Sequence, residues 1–161
     1  MDYLWTPWRY SFISSAEYTK SGGKCIFCEL LRLNDDEKAL IVYRGEFNFI
    51  ILNKYPYTSG HGMIVPYEHL DRLSRLSEPA AAEMMGLARR LESVLFELYG
   101  PDGANIGMNI GKAAGAGIAG HIHMHALPRW VADANFISVI GETRVIPETL
   151  ETTYARLKSK F

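Results

Sequence analysis

The sequence has little of several features that mark special classes of protein. It has only two cysteines in 161 residues, no run near the roughly 20 apolar residues that cross a bilayer, and no Pro-, Gly- or Ser-rich linker. Two cysteines are too few for a disulfide scaffold. Apolar residues make up 48% of the chain and charged residues 22%, which is typical of one globular domain and excludes a disordered or collagen-like chain.

The chain also lacks net charge. Its 17 Lys and Arg residues are offset by 18 Asp and Glu residues, for a formal charge of −1, and the basic residues form no run. This balance disfavours nucleic acid and membrane surfaces as partners. Residues 1–12, MDYLWTPWRYSF, have an early acid and no basic segment before an apolar run, so we expect no Sec signal and a cytoplasmic protein.

The spacing of apolar residues predicts short strands and two main helices. Steps of three and four predict a helix over 79–99, opened by Pro79 and closed by Gly100. A second helix is predicted from Pro147 to about Lys158. The predicted strands are 39–43 and 46–53, which form a hairpin, then 61–66, 104–110 and 121–127. This order predicts an α+β fold with a mainly antiparallel sheet.

Three of the five histidines alternate along the last predicted strand: His121, His123 and His125. Residues two apart on a strand share a face, so their imidazoles are predicted to form a row. The row can hold a metal ion, or one imidazole can be a nucleophile whose neighbours set its tautomer and charge. The other face is predicted to be core, formed by Ile122, Met124 and Ala126.

A glycine-rich segment, residues 107–120, precedes the histidines. Its backbone N–H groups are easily approached and are suited to phosphate oxygens. Gly115-x-Gly117-x-x-Gly120 fits the dinucleotide-binding pattern, but that pattern requires a following helix, and a strand is predicted instead. The alternative interpretation of the segment is a plain turn between strands.

Two blocks of the sequence resemble the histidine triad (HIT) superfamily. One is HIHMHALPR at 121–129, and the other runs from Asn53 through NKYPYTSGH to His69. The segments LWTPWR and CIFC and the tail after Trp130 are similar to the bacterial branch of diadenosine tetraphosphate phosphorylases and related nucleotide hydrolases. The resemblance implies a HIT-like fold with a five-stranded sheet, and a homodimer with one continuous sheet.

This resemblance also implies the organisation of the chain. Residues 1–161 would form a single HIT domain, with 1–24 as an N-terminal extension and 131–161 as a C-terminal tail and helix.

The activity implied by the resemblance is cleavage of dinucleoside polyphosphates at an α-phosphorus, with phosphate or water as acceptor. His123 would be the nucleophile, forming a nucleotidyl-histidine while its other ring nitrogen donates to a backbone carbonyl. His125 would bind a phosphoryl oxygen, and His121 would complete the catalytic row. His61 would lie behind the row, where it would either support the other histidines or handle protons. The alternatives are a nucleotide-binding regulatory HIT protein with little turnover and a nucleoside phosphoramidate hydrolase.

The resemblance assigns substrate contacts as well. Asn53 would bind ribose hydroxyls, Asn109 would contact phosphate or the bridging oxygen, and Trp130 would bear on substrate choice. The family commonly carries Gln or Ser shortly before the triad, and the corresponding residues 115–118 of this sequence, GAGI, include neither. Backbone N–H groups around Gly115 and Gly117 would therefore hold the phosphate.

A metal site is the last implied feature. Two cysteines at CxxC spacing and two distant histidines suit tetrahedral zinc. The resemblance implies that Cys25, Cys28, His69 and His121 are the ligands of a structural zinc ion, and it implies no organic cofactor. The alternative is a pair of reduced cysteines packed with Phe27.

Overall fold

The computed structural model describes residues 25–134, 138, 140 and 145–161. The described strands are β1 Ile41–Arg44, β2 Asn48–Leu52, β3 Gly62–Pro66, β4 Gly103–Met108 and β5 Met124–Arg129. They form one sheet in the order β1-β2-β3-β5-β4, and each strand pairs antiparallel with its neighbours. The predicted α+β class and antiparallel sheet are confirmed. The N-terminal extension and part of the C-terminal tail lie outside the described residues.

Helices pack on both sides of this sheet. The helices whose bounds the structure describes are α1 Ile26–Arg32, α2 Asp36–Ala39, α3 Glu78–Tyr99 and α4 Leu150–Lys158, with short 3-10 turns at Leu73–Arg75 and Lys112–Ala114. None of the helices in the described part of the chain is both long and apolar enough to cross a membrane.

The main helix, α3, agrees with its prediction. The side chain of Ser77 accepts a hydrogen bond from the backbone N–H of Ala80, and Pro79 lies in the first turn. Gly100, in the left-handed conformation (φ 52°), ends the helix by donating its N–H to the carbonyl of Phe96. The C-terminal helix, α4, begins three residues later than predicted because Thr149 caps it at the N–H of Thr152.

Alternation along the strands divides the core into two layers. Met124 and Ala126 of β5 face the layer under α3 and α4, which also includes Ile50, Ile64 and Leu91. The opposite layer lies under α1 and α2 and is formed by Phe27, Ala39, Ile41, Phe49, Ile51, Met63 and Val65. His125 pairs with Met63 across the ladder, so its side chain shares the face of this second layer.

One carboxylate fixes α3 to the sheet. Glu83 accepts hydrogen bonds from the backbone N–H groups of Glu46, Phe47 and Asn48 at 2.6–2.8 Å, and from the side-chain amide of Asn48 at 2.7 Å. Burial raises the pKa of Glu83, but these hydrogen bonds together hold it below its usual value. Glu83 therefore ties the helix to the loop between β1 and β2.

The prediction of a strand over 121–127 is wrong at its start, since β5 begins at Met124. Its ladder with β3 runs only from Ile64↔Met124 to Gly62↔Ala126. Pro66 of β3 has no N–H to extend the ladder, and the N–H of Ile122 instead donates to the carbonyl of Leu70 at 2.6 Å. Ile122, Met124 and Ala126 are nevertheless buried, as predicted.

Candidate active site and metal centre

Three imidazoles lie together on one face of the sheet, where β3 pairs with β5. The ring centroids of His123 and His125 are 4.9 Å apart, and those of His61 and His125 are 5.1 Å apart. His61 precedes β3 and His125 lies on β5, so the strand pairing brings them together. His61 and His123 are only 1% and 4% exposed.

Hydrogen bonds determine which ring donates and which accepts between His61 and His125. The backbone N–H of Tyr57 donates to Nδ1 of His61 at 3.1 Å, so that nitrogen is an acceptor and the proton of neutral His61 is on Nε2. His61 Nε2 then donates to Nδ1 of His125 at 2.9 Å. Nε2 of neutral His125 therefore carries a proton that it can donate.

His123 has the opposite tautomer. Its Nδ1 donates to the backbone carbonyl of His121 at 2.8 Å, which leaves Nε2 with its lone pair. This is the carbonyl bond expected of a nucleophilic imidazole. The site thus places a ring with a free lone pair, His123, beside a ring with an N–H donor, His125.

Burial keeps these rings neutral. It lowers the pKa of His61 to about 3, with His125 and His123 adding to the effect. Burial, followed by the proximity of His123, lowers the pKa of His125 to about 4. Burial also lowers the pKa of His123, although its bond to the carbonyl of His121 acts in the other direction. All three imidazoles are therefore uncharged at pH 7.

Two of the residues predicted to contact substrate, Asn53 and Asn109, lie near these rings. The Asn53 amide is 3.4 Å from Nδ1 of His61, and its Oδ1 accepts the N–H of Tyr55. Asn109 and His125 line the same cavity, of about 240 Å³, with Tyr57, Asn105, Ile106, Gly107, Met108 and Leu127.

The other predicted contacts are not brought to this cavity. Trp130 packs edge-on against Tyr99, with ring centroids 6.5 Å apart, and does not line the cavity. Gly115 ends the 3-10 turn with φ 85°, and Gly117 is exposed two residues later. Neither glycine is among the residues that line the cavity.

A second cluster brings together the four residues predicted to bind metal. The candidate ligand atoms of Cys25, Cys28, His69 and His121 all lie within 4.8 Å of one another. Cys25 Sγ is 3.2 Å and Cys28 Sγ is 3.8 Å from Nδ1 of His121, and Cys28 Sγ is 3.5 Å from Nδ1 of His69. Both cysteines are free thiols.

The donors of this cluster suit a divalent cation. His121 Nε2 donates to the carbonyl of Pro66 at 2.9 Å, so the lone pair on Nδ1 is directed at the two sulfurs. Burial and the adjacent Cys25 raise the pKa of the Cys28 thiol, so two thiolates here require a compensating positive charge. Two sulfurs and two imidazole nitrogens form a set typical of tetrahedral zinc.

Phe27 connects the two clusters and was missed as a site residue by the sequence analysis. It lies between the two cysteines and is 1% exposed. Its ring is 5.3 Å from that of His121 and 5.2 Å from that of His123. The only sequence signal was its place inside CIFC, on the short helix α1 that the periodicity did not predict.

Comparison with known proteins agrees with this geometry. Residues 34–131 match the HIT domain family. The chain belongs to the HIT family. This HIT protein is similar to the AP-4-A phosphorylase of Mycobacterium tuberculosis, with 37% identity over 163 residues that cover 98% of this chain and 83% of the relative. The superfamily resemblance is thereby confirmed.

Two solved HIT structures are similar in fold. A Zn-bound histidine triad family protein from Mycobacterium smegmatis has a TM-score of 0.69 and 28% identity, covering 85% of this chain and 92% of that one. A hypothetical histidine triad nucleotide-binding protein from Sulfolobus tokodaii has a TM-score of 0.68 and 26% identity, covering 84% and 91%. The HIT-like fold is therefore confirmed for this chain.

Proposed function

We propose that this HIT protein cleaves dinucleoside polyphosphates of the diadenosine tetraphosphate type at an α-phosphorus, through a covalent nucleotidyl intermediate on His123. The observation that carries the proposal is that His123 and His125 lie side by side in opposite tautomers. His123 Nε2 holds a lone pair because Nδ1 donates to the carbonyl of His121. His125 Nε2 beside it carries a proton. The similarity to a protein named AP-4-A phosphorylase supports this substrate class.

The roles of the histidines follow from their hydrogen bonds. His123 Nε2 attacks phosphorus, and the positive charge that develops on its ring is stabilised by the carbonyl of His121. The Nε2–H of His125 donates a hydrogen bond to a phosphoryl oxygen whose negative charge grows in the transition state. His61 holds His125 in the tautomer that can donate. His121 acts on catalysis through its carbonyl, while its ring belongs to the metal cluster.

The substrate contacts remain as implied by the family resemblance. Asn53 binds ribose hydroxyls, and Asn109, at the cavity beside His125, binds phosphate. Backbone N–H groups around Gly115 and Gly117 supply further donors to phosphate, and among them the N–H of Gly115 must first leave the carbonyl of Lys112, to which it donates at 3.0 Å. Trp130 bears on substrate choice.

Zinc is the metal we propose for the second cluster, held by Cys25, Cys28, His69 and His121. With four protein ligands the ion is structural: it ties α1 to the segments that carry His69 and His121 and activates no water. Free thiols are required for this site, and they fit the cytoplasmic location that we expect.

A homodimer with one continuous sheet is the assembly we propose. In the described part of the chain, β4 is the outer strand next to β5 and presents Ile106, which is 44% exposed. An open strand edge with an exposed apolar side chain is a pairing surface. Sedimentation equilibrium tests the proposal, and a mass of one chain at micromolar concentration would contradict it.

Product analysis tests the proposed activity. The purified protein is given diadenosine tetraphosphate with and without inorganic phosphate, beside the His123→Ala variant. ADP plus ATP formed only with phosphate identifies phosphorolysis, and AMP plus ATP formed without it identifies hydrolysis. Either product set must be lost in the variant. No product from the unaltered protein would instead favour the nucleotide-binding regulatory protein.

A further inference from the structure

The cavity beside His125 extends along β4 and β5, away from His123. Gly107 pairs with His125, and Asn105 pairs with Leu127, so all four residues face the same side of the sheet. A Cβ placed on Gly107 would meet no atom within 4 Å. The absence of a side chain at Gly107 therefore leaves open space directly beside the donor imidazole.

Asn105, at the far end of this cavity, is held in one orientation by an ion pair. Arg129 Nη1 donates to Asn105 Oδ1 at 2.7 Å, while Arg129 Nε and Nη2 donate to the two carboxylate oxygens of Asp133 at 2.5 and 2.9 Å. Asp133 also accepts the backbone N–H of Trp130 at 3.3 Å. With its oxygen facing Arg129, Asn105 turns its NH₂ group away from the guanidinium, and Asn105 lines the cavity.

The groups around the cavity are suited to an anion. Asn105 offers two N–H donors, His125 offers its Nε2 proton and Asn109 offers a further amide. No carboxylate lies among the described residues that line the cavity. The guanidinium of Arg129 adds positive charge behind Asn105, although Asp133 compensates much of it.

We propose that Asn105, oriented by Arg129 and Asp133, forms a phosphate subsite that first holds the phosphates of the leaving nucleotide and then the phosphate that accepts the nucleotidyl group. This subsite rests on the proposed function, because its place next to His125 matters only if His123 carries the nucleotidyl group. Arg129 and Asp133 are positioning residues, and Asn105 is the group that contacts phosphate.

The two steps balance in atoms and electrons. In the first, the lone pair of His123 Nε2 forms a bond to the α-phosphorus, the bond from phosphorus to the bridging oxygen breaks, and ATP leaves with that electron pair. In the second, an oxygen of hydrogen phosphate attacks the same phosphorus from the side that ATP has left, the P–N bond breaks, and ADP is formed. The electron pair returns to Nε2, and the proton on Nδ1 stays in place throughout.

Titration of inorganic phosphate into the full-length protein, followed by ³¹P NMR, tests the subsite without requiring turnover. We expect saturable binding that is about tenfold weaker in Asn105→Ala, since a hydrogen bond to a charged group is lost. Asn105→Asp must bind phosphate more weakly still, because it places a carboxylate in the cavity. Gly107→Ala must also weaken binding by filling the space beside His125. Arg89→Ala removes an exposed charge on α3, across the sheet, and must bind phosphate as the unaltered protein does.

The Asp variant separates a ligand-binding role from a bracing role. If Asn105 only supports Arg129, a carboxylate would serve at least as well, so Asn105→Asp with unaltered phosphate affinity would overturn the proposal. Absence of saturable phosphate binding in the unaltered protein would overturn it too.

Steady-state kinetics distinguish the two sources of phosphate. A raised KM for inorganic phosphate in Asn105→Ala assigns the subsite to the acceptor, and a raised KM for the dinucleotide assigns it to the leaving group. Either result supports the subsite, and the proposal expects both. If the unaltered protein forms no nucleotidyl-histidine, the proposed function fails, while the phosphate titration still decides whether the subsite exists.

Discussion

His61 Nε2 lies 2.9 Å from His125 Nδ1, and the backbone N–H of Tyr57 on the other side of the His61 ring sets the direction of that hydrogen bond. The chain of donors runs from the backbone through His61 to His125 and ends at the proton on His125 Nε2. His61, which is buried and precedes His125 by 64 residues, thus determines that His125 has an N–H donor on Nε2.

Replacing His61 tests this chain of donors. His61→Phe removes both hydrogen bonds and lets His125 adopt either tautomer, so we expect kcat to fall by roughly tenfold, the equivalent of one net hydrogen bond, with a smaller change in KM. His61→Gln should restore part of the rate, because its carbonyl can accept from Tyr57 and its amide can donate to His125. Equal rates for both variants would contradict the assignment.

Stability should depend on pH through the same residue. Burial lowers the pKa of His61 from 6.5 to about 3 in the folded state, so between these values the unfolded chain binds a proton that the folded chain does not. The contribution of His61 is present above pH 6.5 and is lost as the pH falls. At pH 5 this loss is about 2 kcal/mol in the free energy of unfolding.

Urea unfolding at pH 7.5 and pH 5 measures this dependence. The free energy of unfolding of His61→Gln should change less between the two pH values than that of the unaltered protein. The same change in both proteins would show that His61 is not the group that titrates.

The metal cluster predicts a stoichiometry and a change in thermal stability. We expect a single zinc ion per chain by elemental analysis, lost in Cys28→Ser. If the ion is present at about 100 times its dissociation constant, its removal should lower Tm by about 5–10 °C. Leu33→Ser, at the exposed C-terminal end of α1, is the matched control and should keep the metal. Full zinc content in Cys28→Ser would exclude this cysteine as a ligand.

Removal of the Glu83 carboxylate, far from the histidines, should lower the stability of the fold. Its carboxylate is the acceptor for three backbone N–H groups and one amide, so Glu83→Ala should lower the free energy of unfolding by about 2 kcal/mol. Glu92→Ala, on the exposed face of the same helix, should change it by less than about 0.5 kcal/mol. Similar values for the two variants in chemical denaturation would refute the role of Glu83.

Periodicity in the sequence was enough to predict the regular part of the fold. Helix α3 was predicted at 79–99 and begins only one residue earlier, because seven of its residues at steps of three and four are buried and Gly100 stops it. The hairpin of β1 and β2 was also predicted. Its first strand starts later than expected, since Ala39 ends α2 and Leu40 takes a left-handed conformation (φ 60°).

Other parts of the site depend on contacts distant in sequence. The predicted start of β5 was wrong because hydrogen bonds to the carbonyls of Pro66 and Leu70 set the path of residues 121–123. Alternation along one strand cannot reveal these contacts. Asn105 looked like any strand residue, and its orientation depends on Arg129, 24 positions later. The four candidate metal ligands could be named from their residue types and the family resemblance, but only folding brings them together.

Detection of the covalent intermediate on His123 tests the proposed nucleophile most directly. The protein is mixed with diadenosine tetraphosphate, quenched within milliseconds at alkaline pH, where a phosphorus–nitrogen bond survives, and digested for mass spectrometry. We expect an adenylyl group on the peptide with His123, on that residue alone, absent from His123→Ala and removed when phosphate is added. Turnover with no adenylyl-peptide, or an adenylyl group that persists in His123→Ala, would contradict it.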